Sequence, residues 1–376
     1  MFNTTYYLSN GIKTTIKPSA GFYIEEVAMP DNLGNRLSYY FDGDDIFYDL
    51  DSKCVDLYDV FTRNIFADGS YYEWESSFLP MGITEAGNSA ESPISKDAFE
   101  KYFTRPLSEM FTNPVDYFDL SDLTEDEKEK FRSEIRPETK ALYDKLDKRK
   151  FKDAYLADCH NLISTLQDLI QNSKSDFILF YKYLAELEPL DPPTCEDDDI
   201  QVWFSSSPEV SLIVDIAQSI IVKIASALDI LTKICYELEH IQSAEGSYPR
   251  LASRDILYQP AKIKNIDHAN TVFDKSSKDL CYLLAIRNEI VHNASWEVPL
   301  KVYVQFEQQQ LKGKWIFMPD ATPEGTLVTY RNRKHFFSQE KKLNEELPRM
   351  YLTWMGLISN TLDKMKIAYD RMNVSL

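Results

Sequence analysis

Between residues 213 and 238, apolar side chains recur at Ile213, Ile216, Ile220, Ile224, Leu228, Leu231, Cys235 and Leu238. Steps of three and four residues gather these positions onto one stripe only if the segment is an α-helix. Such a stripe must be buried against something. Three further segments offer matching faces: Leu156, Cys159, Ile163, Leu166 and Ile170, with Phe177 to Leu187 continuing the pattern; the stretch from Ser276 to His292; and Tyr351, Trp354, Ile358, Leu362, Met365 and Tyr369, a helix expected to start at Pro348. Four long amphipathic helices in one half of a chain bury their stripes most economically against each other, so a four-helix bundle is expected. Asp215, Gln218, Lys223 and Asp229 interrupt the apolar run, and ionisable groups at that density are too costly in lipid. The helix is therefore expected to be a core helix, not a membrane span.

The rest of the chain carries a weaker pattern. From Tyr6 to Val27 short apolar and β-branched runs alternate around an Asn10-Gly11 hairpin signal, and Leu50, Cys54, Leu57, Phe61 and Ile65 then recur at helical spacing. A Gly/Ser/Pro-punctuated stretch from Asp68 to Ser95 reads as loop, residues 124 to 150 as a charged exposed helix, and Glu188 to Pro208 as an acidic connection. After His292, the segments Val298 to Phe306, Leu311 to Met318 and Thr326 to Tyr330 read as a three-stranded meander with turns near Gly313 and Pro323-Glu324-Gly325. The expected fold is mainly α. A smaller α+β region of unassigned role spans residues 1–120, and the helical bundle spans 121–376 with the β-meander inserted at about 298–330.

Charge and cysteine usage narrow the function. The formal net charge of −19 repels polyanions at long range, which argues against non-specific nucleic-acid binding by charge. It leaves room for a local basic groove: residues 331–342 carry five bases against one acid, whereas 191–200 carry five acids and no base. The cysteines Cys54, Cys159, Cys195, Cys235 and Cys281 are odd in number, scattered and never in a C-x-x-C pair, so no disulfide framework or zinc knuckle is indicated. With no basic and apolar leader after Met1, a cytoplasmic location is expected. Cys159 beside His160 falls on an apolar stripe and reads as core, and Asp197-Asp198-Asp199 as solvated loop. Gly-rich phosphate loops, H-E-x-x-H and G-x-S-x-G are absent, so neither a cofactor nor a metal is expected.

One strip carries chemistry. In Arg287-Asn288-Glu289-Ile290-Val291-His292, Asn288 and His292 lie about 40° apart on a helix and Arg287 and His292 about 140° apart, while Leu283, Ile286 and Ile290 form an inward stripe. Ser276 with Asp279 reads as the capping box that starts this helix. An imidazole that exchanges a proton near neutral pH and an always-charged guanidinium suit RNA self-cleavage, in which the ribose 2′-OH attacks its own phosphorus. Asn288 would orient the imidazole or its partner. A second copy of the strip, supplied by a homodimer, would place two Arg and two His around one phosphate. A plainer reading pairs Arg287 with a carboxylate at the surface and leaves His292 at a helix C-terminus. The basic residues Arg331, Arg333 and Lys334 are weaker candidates for RNA phosphate contacts; a solvated strand-to-helix loop is the preferred reading of the same island.

The segment RNEIVH resembles the R-x4-6-H motif of the HEPN superfamily, with a polar residue after the Arg and apolar residues before the His. The resemblance covers residues 276 to 293 closely and the bundle from about 150 to 374 loosely. It implies a dimeric, metal-independent ribonuclease of prokaryotic toxin or antiviral defence type, with Arg287 and His292 catalytic and Asn288 supporting. It equally admits an inactive HEPN-like dimerisation or binding protein, or a toxin controlled by an antitoxin or a cognate nucleotidyltransferase. The β-meander directly after His292 departs from a minimal family domain.

Overall fold

The computed structural model describes residues 4–19, 21–28, 37–41, 44–65, 124–127, 150–188, 200–240, 262–297 and 299–373. Its chain is mainly helical with small sheets. Long helices run over Asp44–Ile65 (α1), Lys150–Glu186 (α2), Pro208–Glu239 (α3), Lys278–Asn293 (α4) and Leu343–Asn373 (α5). Short strands flank them: Thr5–Leu8 (β1), Lys13–Thr14 (β2), Tyr23–Ala28 (β3) and Leu37–Phe41 (β4) form one sheet in the order β2-β1-β3-β4. The expected loop at 68–95, most of the charged segment at 124–150, most of the acidic connection at 188–208 and the 120/121 boundary lie outside the described residues.

The chain divides into two compact units. The larger holds Met1–Leu57, Leu162–Glu239 and Ala252–Leu376; the smaller holds Tyr58–Asn161 and His240–Leu251. In the smaller unit, Thr124 donates its N–H (2.9 Å) and hydroxyl (2.7 Å) to Glu127, and its hydroxyl in turn caps the Glu127 N–H, a reciprocal box at a helix start.

In the larger unit the core is built where the apolar stripes predict. α3 is apolar enough to cross a membrane by length and composition, yet most of its stripe is core: Ile220, Ile224, Leu228, Leu231 and Cys235 are fully buried, while Ile216 is half-buried. α3, α4 and α5 pack on one another. α2 joins them through a stack of Phe177 on Tyr351 (4.8 Å between rings), through Ser173 to Tyr351 (2.8 Å between hydroxyls), and through the ion pair of Asp176 with Lys223 (2.6 Å). α1 lies along α5 by way of Lys53, which pairs with Asp363 at 2.8 Å, and Ser359, which donates to Asp49 at 2.7 Å.

Helix α5 begins at Leu343, five residues before Pro348, which sits inside it. A proline cannot donate to the carbonyl four residues earlier, here that of Asn344. The Tyr181 hydroxyl of α2 takes that carbonyl instead, at 2.7 Å. The Asn344 side chain is fully buried as well: its amide donates to the Ser9 (2.6 Å) and Lys314 (3.0 Å) carbonyls, and its oxygen accepts from the Ile316 N–H. The start of α5 is thus fixed by groups far away in sequence.

The expected three-stranded meander is corrected in its third member. Gln201–Ser205 (β5), Val302–Glu307 (β6) and Gln310–Trp315 (β7) form an antiparallel sheet in the order β5-β6-β7. Val302, Val304 and Phe306 alternate inward as a half-buried strand requires. The β6–β7 turn lies at Gln308 and Gln309, both at positive φ, and Gly313 is within β7 rather than at a turn. Thr329–Tyr330 (β8) leaves this sheet and pairs with Lys334–His335 (β9). The Asn10-Gly11 hairpin forms as expected, with Gly11 at φ +73. A side chain there would meet Lys314 and Leu184 at about 3 Å.

Lys314 on β7 is 2% exposed and points into the end of α2, where its ammonium donates to the carbonyls of Leu184 (3.1 Å), Ala185 (2.8 Å) and Leu187. Those are the carbonyls a helix C-terminus leaves without partners. Burial pushes the Lys314 ammonium down to about 8, opposed by Glu188 and Glu186, so it remains charged at neutral pH. Replacing Lys314 by Met should cost about 3 kcal/mol, because the carbonyls lose their donors in a dry setting; urea denaturation of the two proteins measures the difference.

Glu237 on α3 is 2% exposed, and burial pushes its carboxyl up to about 7. A carboxyl with a raised folded pKa stabilises the fold below its unfolded pKa and loses that contribution as pH rises through about 7. Glu237→Gln should therefore gain stability at pH 8 relative to the parent, on the order of 2 kcal/mol, and should flatten thermal stability measured from pH 4.5 to 8.

Candidate functional site

Helix α4 carries the strip and is held at both ends. At its start, Ser277 is the N-cap, its side chain accepting from the Leu280 N–H; the expected capping box at Ser276 and Asp279 is thereby corrected by one residue. Ser276 instead bonds Asp274, and Asp279 receives both guanidinium nitrogens of Arg349 from α5, at 2.7 and 3.2 Å. The Trp354 indole donates to the Asp279 carbonyl at 3.1 Å. At its end, Ala294 turns into the left-handed region at φ 66, and the Gln218 amide of α3 takes its carbonyl at 3.1 Å. Two residues further, Trp296 is buried and donates to the Phe317 carbonyl at 3.0 Å.

Between these anchors Leu280, Tyr282, Leu283 and Ile286 are buried. Ile290, the last residue of the expected inward stripe, is only half-buried, because the helix runs out from the core by its final turn. Asn288, Val291 and His292 are exposed, and Arg287 is half-buried at the edge of the packed face. The Arg287 guanidinium donates to the Asn288 side-chain oxygen at 3.2 Å. Among the described residues neither Arg287 nor His292 pairs with a carboxylate, and His292 stands in the last turn of the helix, as the plainer reading has it. That hydrogen bond ties Asn288 to Arg287.

The strip's own carboxylate is occupied. Glu289 receives the Asn293 amide at 2.7 Å and faces the His335 Nε2 at 3.2 Å. His335 stands on β9, so the β8–β9 hairpin is joined to the helix that carries Arg287 and His292. Nothing next to His335 in the chain marks it; only the Glu289 contact, between residues 46 apart, reveals it. The hairpin tip carries Arg331, Arg333 and Lys334, all exposed, with Arg331 and Asn332 both at positive φ. Arg331 lies over the Tyr330 ring at 5.3 Å, and the Arg333 N–H closes the turn onto the Tyr330 carbonyl.

Asp320 anchors the hairpin's base. Its carboxylate accepts from the N–H and hydroxyl of Ser338 and from the Gln339 N–H (2.8 Å). Burial pushes the Asp320 carboxyl up, but the bonds from Ser338 and Gln339 outweigh it and hold the group below its ordinary value. Arg331, Arg333 and Lys334 are therefore displayed on a hairpin fixed at two points, and not on a free loop. Among the described residues no group of three or more His, Cys, Asp or Glu side chains is placed to hold a metal ion.

No protein-family model, curated protein or solved structure matches this chain.

Glu289→Gln removes the charge that faces His335 while keeping the bond from Asn293. A partly buried pair of this kind contributes about 1 kcal/mol, so amide hydrogen exchange at residues 329–335 should speed up roughly fivefold. Unchanged exchange would show that Asp320 alone holds the hairpin.

Proposed function

We propose that the chain is an endoribonuclease of HEPN type, in which the Arg287–His292 strips of two copies converge on one RNA phosphate. The observation that supports this most is the state of the strip: among the described residues neither Arg287 nor His292 pairs with a carboxylate, while the strip's own Glu289 is occupied by Asn293 and His335.

The reaction needs little beyond these groups. One His292 takes the proton of the ribose 2′-OH as its oxygen attacks the adjacent phosphorus; the P–O5′ bond breaks, and the partner's His292 gives a proton to the departing O5′. The products are a 2′,3′-cyclic phosphate and a free 5′-OH. Arg287, with its planar donor fork, stabilises the charge on the phosphorane oxygens, and Asn288 keeps that fork turned toward the surface. The hairpin cations Arg331, Arg333 and Lys334 contact neighbouring phosphates on a chain whose net charge of −19 offers little attraction elsewhere. A toxin or defence effector of the cytoplasm, restrained by a regulatory protein, is the setting that suits such an enzyme.

A second reading, an HEPN-like binding protein without catalysis, is favoured by β5, an edge strand on which Val202, Trp203 and Phe204 are all more than half exposed. Exposed edge strands recruit partners by backbone pairing.

Incubation of purified protein with RNA in EDTA separates the two. Cleavage ending in 2′,3′-cyclic phosphate is expected, with Arg287→Ala and His292→Ala each reducing the rate by about 10²-fold or more and leaving the thermal midpoint unchanged. Full activity in both variants removes the catalytic assignment, and inactivity of the parent with every RNA tried favours the binding reading.

A further inference from the structure

At the opposite end of α4 from the strip lies a cleft of about 500 Å³, within the range of small-molecule sites. Lys278 and His292 are fourteen residues apart on the helix, about 21 Å at 1.5 Å per residue, so the cleft is separate from the strip. Its floor is apolar and buried: Tyr282, Met318 and Met350 are each 5% exposed or less. Methionines make an adaptable floor, and the Tyr282 ring is locked in place because its hydroxyl donates to the Pro319 carbonyl at 2.6 Å.

One wall is the turn from Thr322 to Thr326. Gly325, at φ +88, presses so closely on α4 that an added Cβ would come within 2.2 Å of the Lys278 carbonyl. The Thr322 N–H to Thr326 carbonyl bond (2.8 Å) and the paired threonine hydroxyls (2.9 Å) close that turn. The wall is therefore set against the helix, not loosely draped over it.

The charges in the cleft are unequal in their commitments. Both lining carboxylates, Asp279 and Glu346, are engaged by the same cation, Arg349. Asp320, outside the lining, is saturated by Ser338 and Gln339. Among the described residues Lys278 and Lys341 have no carboxylate within 4 Å, although the Asp320 carboxylate acts on Lys341 from farther away; the Lys341 ammonium lies 5.9 Å from the centre of the Tyr282 ring. Two ammonium groups without a contact ion pair among the described residues, beside a fixed aromatic ring and a soft apolar floor, suit a ligand with an anionic group at one end and a flat, unsaturated body.

We propose that this cleft binds a small aromatic anion, seated with its ring against Tyr282 and the methionines and its charge between Lys278 and Lys341. Nucleotides and aromatic carboxylates share that chemistry. Neither the strip nor the reaction assigned to it enters the proposal.

Calorimetric titration of the full chain with adenosine 5′-monophosphate and with 1-naphthoate tests it, with adenosine and inorganic phosphate as the neutral and the ringless controls. At least one of the two aromatic anions should bind more tightly than both controls, and whichever does so names the source. The double variant Lys278→Gln/Lys341→Gln should weaken that binding about tenfold or more, equivalent to about 1.4 kcal/mol. Lys312→Gln, an exposed lysine outside the cleft, should leave it unchanged. Both substituted lysines reach solvent, so the fold should survive, and a thermal melt checks this. If the double variant melts early, Lys278→Gln alone is read for the same direction of change. The proposal is overturned if neither anion binds below about 10 mM, if adenosine binds as tightly as its phosphate, or if removing the lysine charges has no effect.

Discussion

The buried ammonium of Lys314 is the point on which the larger unit is assembled. A lone charge in a core is costly, and this one is retained because three carbonyls at the end of α2 need donors that no helix can supply to itself. Its own backbone is used as well: the Lys314 N–H donates to the Asn10 carbonyl at 2.8 Å, and its carbonyl accepts from the buried amide of Asn344. One residue thus joins the end of α2, the N-terminal hairpin, β7 and the first turn of α5. Gly11 is required beside it because a larger residue would displace the lysine stem.

From that node the rest of the bundle is ordered toward α4. α5, started at Leu343 and freed from its proline's missing donor by Tyr181, presents Arg349 and Trp354 to the first turn of α4. α5 also contributes the Thr361 hydroxyl, which accepts from the Val272 N–H at 3.0 Å and fixes the approach to Ser277. α3 closes the other end through Gln218. A helix of sixteen residues, held at both termini and buried along one face, shows its last turn to solvent at a constant angle. The proposed ribonuclease chemistry would need such support, since positioning errors of an ångström weaken it.

The helices were legible in the sequence because their signal is local: the stripe of Ile213 to Leu238 carries its own period, and packing only confirmed which side it faces. The larger errors fall where a distant group decides. Pro348 reads as a helix start by local rules, and α5 begins five residues earlier because Asn344 and Tyr181, 163 residues apart, satisfy the first turn. Thr326 to Tyr330 has strand composition, but the third place in the β6–β7 sheet goes to Gln201–Ser205, whose exposed side chains show no alternation of burial. The candidate residues Arg287, Asn288 and His292 stand out by spacing and residue type, whereas the significance of His335 depends on Glu289, not on its neighbours in the chain.

What the sequence determined by itself is therefore the set of helices, the mainly α class and the composition of the strip, since each follows from periodicity or from the chemistry of adjacent residues. Tertiary structure decided which charges are committed. Glu289 is drawn to His335 and Asn293, Asp279 and Glu346 to Arg349, and Asp320 to the hairpin base, which leaves Arg287 and His292 at one end of α4 and Lys278 and Lys341 at the other with no carboxylate at ion-pair distance among the described residues. Ion pairing is a contest among all groups within a few ångströms, and only the folded chain brings the competitors together.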